Sequence, residues 1–131
     1  MAELGLRKVV DRPFDEVLSA VPDALKSEGF GVLTQIDVSQ TLKQKIGVEF
    51  RRYHILGACN PALAHRALQE ELELGIMLPC NVIVYDAGDG KTAVTAVDPT
   101  RTIATTSENA RLRELAGTVR EKLARAIHHV A

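Results

Sequence analysis

Residues Pro79 to Pro99 read as a β-hairpin. Two short runs rich in β-branched and apolar residues, Cys80–Tyr85 and Thr92–Val97, flank Asp86-Ala-Gly-Asp-Gly-Lys91, whose glycines suit a tight reversal. Strands joined this way run antiparallel, so any sheet this chain builds is antiparallel at least there. Three more runs have the same β-forming character: Leu4–Val10, Phe30–Asp37 and Tyr53–Ala58.

Between these runs the apolar residues fall at helical spacing. Pro13 suits a first helical turn, Asp15 and Glu16 suit its positive end, and Phe14, Val17, Leu18, Val21 and Leu25 form one apolar face. Pro22 should kink this helix or shift its start, and Gly29 stops it. Ser39 can cap a short helix carrying Val38, Leu42 and Ile46, closed by Gly47. Asn60-Pro61 is a strong helix start, and the stripe Leu63, Ala64, Ala67, Leu68 and Leu72 follows it until Gly75. Asp98-Pro99 breaks the returning strand, and residues 100–109 read as a polar connection to a last helix. That helix shows Leu112, Leu115, Val119, Leu123, Ile127 and Val130 at helical spacing. The expected order is β-α-β-α-β-α-β-β-α.

The length of 131 residues fits a single domain, residues 1–131, able to bury a core without staples. An apolar fraction of 46% and a mean hydropathy of +0.00 argue against both disorder and a membrane-embedded chain. No run approaches the roughly 18 apolar residues of a spanning helix, so no membrane partner is expected. Residues 1–65 carry 8 basic and 8 acidic side chains and residues 66–131 carry 8 and 9, so neither half is an electrostatic tail. Three Phe, two Tyr and no Trp leave little to stack bases, and nucleic acid is not an expected partner. A charged N-terminus without an apolar leader core points to a cytoplasmic home, where Cys59 and Cys80 are thiols.

The sequence holds no nucleophile elbow, zincin motif or P-loop. Its unusual constellation is a pair of Cys-Asn dipeptides, Leu56-Gly-Ala-Cys-Asn-Pro61 and Leu78-Pro-Cys-Asn-Val82. Cys59 falls directly before a helix N-terminus, where amide dipoles stabilise thiolate. Gly57 permits close backbone approach, as a ligand needs. His65, one turn into the helix, can face the same region as an acid-base partner or a metal ligand. Lys43, Lys45, Arg51 and Arg52 form the local basic cluster, opposed by Glu49, and read best as a solvated face.

The segment Gly29-Phe-Gly-Val-Leu-Thr-Gln-Ile-Asp37, followed by Leu42-Lys-Gln-Lys-Ile-Gly-Val48, resembles the bacterial domain-of-unknown-function family number 302. Ile55-Leu-Gly-Ala-Cys-Asn-Pro61, Ala64-His-Arg-Ala-Leu68, Leu78-Pro-Cys-Asn-Val82 and Asp98-Pro99 share the resemblance, which runs over nearly the whole chain. It implies an α+β fold, TATA-binding-protein-like, with a mainly antiparallel sheet of about five strands and helices packed on it.

The expected function is a ligand-binding or interaction module with a pocket near Cys59, Asn60, His65, Cys80 and Asn81. The alternative is a thiol-dependent enzyme or a soft-metal protein holding Cu(I) or Zn²⁺ on Cys59 and Cys80, the ligand type that selects such ions. A homodimer is also expected, from the resemblance and from the apolar stripe of the last helix.

Overall fold

The computed structural model describes residues 5–105 and 107–130; Leu4 of the first expected strand and Thr106 of the polar connection lie outside them. The elements are β1 (Gly5–Val10), α1 (Phe14–Lys26), β2 (Gly31–Asp37), α2 (Val38–Ile46), β3 (Tyr53–Cys59) and α3 (Pro61–Glu70). A 3-10 turn (Leu72–Met77), β4 (Cys80–Gly88), β5 (Lys91–Val97), α4 (Pro99–Thr102) and α5 (Ala110–His129) complete the chain. The fold is α+β. Its five strands form one antiparallel sheet in the order β1-β5-β4-β3-β2.

The hairpin is a two-residue turn: Asp89 and Gly90 both take positive φ, at 56° and 74°, the pairing that matches strand twist. α1 starts at Phe14 and runs as one helix through Pro22, so the start is not displaced. Val17, Val21 and Leu25 are fully buried on its inner face, and that burial holds the helix across the missing N–H. Gly29, at φ 86°, ends it, as the left-handed position after a helix requires.

Three expectations about helix ends change. Asp37, not Ser39, caps α2: its Oδ1 accepts from the Gln40 N–H at 3.0 Å and from the Ser39 hydroxyl at 2.9 Å. α3 ends at Glu70, so Leu72 falls outside its stripe and is almost fully exposed. The connection after Asp98-Pro99 opens with the helical turn α4, capped by Asp98.

α1 and α5 cover one face of the sheet. Their residues Val17, Val21, Leu25, Leu123 and Ile127 meet Leu56, Val82, Val84, Val94 and Ala96 in one core cluster. Leu112 and Leu115 are buried too, so the apolar stripe of α5 is spent inside the chain's own core rather than left for a dimer. Lys8 donates to the carbonyls of His128 and Val130 at 2.8 and 2.7 Å, tying β1 to the end of α5. His54 is buried against Phe14 of α1, with ring centroids 5.5 Å apart, its Nδ1 2.8 Å from Gln35 Nε2 and its Nε2 3.5 Å from Asp37 Oδ2.

Candidate functional site

The first Cys-Asn pair sits where β3 becomes α3. Asn60 Oδ1 accepts from the Leu63 N–H at 3.3 Å and Pro61 takes the first helical position, so the chain turns sharply after Cys59. This aims Leu63, Ala64 and Ala67 at Leu112, Leu115 and Ala116 of α5. Between the two helices and the end of the sheet lies an almost wholly apolar cavity of about 40 Å³. Phe30, Cys59, Asn60 and Cys80 contribute its sheet-side wall. The space exceeds the ~10–15 Å³ one water needs and falls far short of the ~300 Å³ of an ordinary small-molecule site. A surface groove of about 420 Å³ adjoins it, sharing Leu74 and Leu112 and rimmed by Glu70, Glu71 and Glu73.

The structure brings Cys59, Asn60 and Cys80 together and leaves His65 and Asn81 outside. The helical period that turns Leu63, Ala64 and Ala67 inward leaves His65 exposed on the outer side of α3. Asn81 is exposed because alternation along β4 sends it to the face opposite Cys80. The two dipeptides are therefore unlike. In one, Asn leaves the strand to cap a helix; in the other, it stays in the strand.

The thiols differ as well. Cys59 is partly buried, one step beyond the Ala58–Cys80 pair of the ladder. Cys80 is 8% exposed, and burial together with the neighbouring Cys59 pushes its thiol up to about 11. A thiol so protonated is a weak nucleophile and a reluctant metal ligand. Among the described residues no three of His, Cys, Asp and Glu are grouped to hold a metal, so the soft-metal reading has two sulfurs and no third donor.

Gly57 does need close approach, though not for a ligand. A Cβ there would collide with Thr34 Oγ1 and come within 2.7 Å of Pro79 Cγ. The basic cluster is dispersed: Lys43 pairs with Glu49 at 3.2 Å and Arg52 with Asp15 at 3.0 Å, while Arg51 donates to the Asp86 carbonyl.

One residue beside the site reads from sequence only as a strand breaker and a family motif, with no role at the site. Asp98, buried at the end of β5, accepts at Oδ1 from the Thr100 N–H (3.0 Å) and hydroxyl (2.6 Å), and at Oδ2 from Arg120 Nε (3.0 Å). Burial pushes its carboxyl up, but the hydrogen bonds from Thr100 and Arg120 and the charge of Arg120 outweigh it, leaving the group below its ordinary value. The clamp fixes α4 against α5, and so places Ile103 and Val119 in the cavity wall.

The family model for the domain of unknown function DUF302 matches residues 6–130. The chain belongs to the DUF302 family. A solved structure of an uncharacterized conserved DUF302 protein from Bacillus stearothermophilus is similar over 98% of this chain and 99% of its own, with 32% identity and a TM-score of 0.89. No curated protein matches this DUF302 chain. Among its described residues no helix is long and apolar enough to cross a membrane.

Proposed function

We propose that this DUF302 domain is a binding module whose site is the apolar cavity bounded by Cys59, Asn60, Cys80, α3 and α5. The observation that carries the reading is the cavity itself, since an apolar void between well-packed helices forfeits contacts that a ligand restores. Its size admits only a small apolar group, a short alkyl or thioether tip, with the rest of the molecule lying in the groove beyond Leu74 and Leu112. Two free thiols agree with a cytoplasmic home.

Xenon is the direct probe, because it fills dry apolar cavities without needing a polar contact. Saturable xenon-induced shifts of the methyl signals of Leu63, Leu112 and Leu115 support the reading. Shifts that grow linearly and equally over the whole surface refute it.

A second reading is supported by the contrast between the thiols. Cys59, partly exposed beside the start of α3, is the group on which thiol chemistry would depend, whereas Cys80 is held protonated. Loss of a substrate-dependent activity in Cys59→Ser, with the fold intact, is the result this reading requires.

A further inference from the structure

We propose, resting on the binding role given to the cavity, that its ligand is a small aliphatic amine. The alkyl tip fills the cavity and the ammonium lies in the adjoining groove against Glu71 and Glu73. Leu74 and Leu112 line both spaces, so one short chain can occupy the two together.

The 3-10 turn that follows α3 builds the groove. With three residues per turn, positions i and i+3 eclipse one another. Leu74 and Met77 therefore stack in one row, and Glu73 and Ile76 in the next. Leu74 is buried and forms the floor with Leu112, whereas Ile76 stands almost fully exposed in the groove wall. A carboxylate is thus set in line with an aliphatic side chain. That is the complement of an alkylammonium: an anion for its head and hydrocarbon for its tail.

Charge decides the class. Among the described residues no Lys, Arg or His lines the cavity or the groove. Of the three rim carboxylates Glu70 is engaged, its Oε1 pairing with Arg111 at 3.4 Å and its Oε2 accepting from Asn109 Nδ2 at 3.2 Å. Arg113, beyond the rim, donates to the Ser107 carbonyl at 3.3 Å. The Glu71 and Glu73 side chains are exposed and hold no ion pair or hydrogen bond among the described residues. An anionic head would meet them as like charges, and an uncharged head would gain no attraction from them. An aliphatic amine is protonated at neutral pH and is drawn to both. The cavity separates a free amine from a basic peptide. A lysine side chain carries its ammonium at the far end, so a peptide would push charge, not hydrocarbon, into the apolar space.

The test is methyl-detected NMR titration of the full chain with n-hexylamine, 1-hexanol and hexanoate, three probes with one tail, at about pH 7. Hexylamine should bind about 3–10-fold more tightly than hexanol, with hexanoate weakest, and should displace xenon from the cavity. Methylamine, which has the charge without the tail, should do neither. The double variant Glu71→Gln, Glu73→Gln should lower hexylamine to the affinity of hexanol while leaving hexanol and xenon unchanged, and about 0.5 M salt should narrow the gap in the wild type. Hexylamine that binds no better than hexanol, keeps its advantage in the double variant, or leaves xenon in place overturns the inference. Saturable xenon binding beside any of those results leaves the cavity reading standing, and xenon that fails to saturate removes both.

Discussion

Replacing Asp98 by Ala removes every bond of the clamp at the end of β5. Two of its contributions can be sized separately. The helix cap on Thr100 is worth about 1 kcal/mol, and a hydrogen bond between ionised partners, as to Arg120, about 1.5–3 kcal/mol. Arg120 is 45% exposed and can turn its head to water, so the larger penalty for stranding a buried charge does not arise. The expected loss is about 3 kcal/mol, read from urea unfolding at about pH 7. Asp98→Asn keeps the Thr100 acceptor and loses only the charge, so it should cost about 1–2 kcal/mol. Because the folded carboxyl lies below its unfolded value, its stabilisation is complete above the unfolded pKa of about 3.9 and is lost as pH falls through the folded one. The gap between wild type and Asp98→Asn should therefore close in acid. An Asp98→Ala variant within about 0.5 kcal/mol of wild type, or a gap to Asn that persists at the acid end, refutes this account.

Leu123→Ala, at a fully buried position, should cost about 2–5 kcal/mol in urea unfolding, and Leu115→Ala less, since Leu115 already borders the cavity. Equal midpoints for the two would show that the cavity is filled by rearrangement. Alkylation should mark Cys59 well before Cys80, of which roughly one thiol in a thousand is ionised at about pH 8; equal labelling by peptide mass would remove the asymmetry. Gly57→Ala should destabilise by about 1–3 kcal/mol, and Thr34→Ala in the same chain should recover part of that loss, because it deletes the atom struck. Strict additivity in that double-mutant cycle would count against the contact.

The local grammar of the chain was largely legible. Five strands, the Asn60-Pro61 start and the stops at Gly29 and Gly47 follow from short-range chemistry, and the structure has them all. What escaped lies at longer range or in competition between neighbours. Asp37 and Ser39 are both cap residues two positions apart, and the sequence does not say which carboxylate or hydroxyl reaches the free N–H groups. Asp98-Pro99 repeats the Asn60-Pro61 signal, yet a four-residue helix leaves no periodicity to follow it. His65 looked like a partner of Cys59 because it is near in sequence. The turn of α3 separates them. The aromatic row of Tyr53 and Tyr85 was invisible to a count of aromatics, since only the β3–β4 register brings the two rings together.

The position of β1 bears on how the chain acquires its shape. Its ladder partners run from Gly5 opposite Val97 to Val10 opposite Thr92, and Lys8 reaches carbonyls 120 and 122 residues away. β1 precedes these partners in the chain and thus has no place to bind until the hairpin and the last helix exist. Local pairs such as β4 with β5 close a two-residue loop and form early, whereas β1 must wait for a closure spanning most of the chain. At a synthesis rate of about 5–20 residues per second, that leaves the edge of β5 and the apolar side of β1 open for seconds. Of the five strands of this sheet, the one nearest the N-terminus is the one received last.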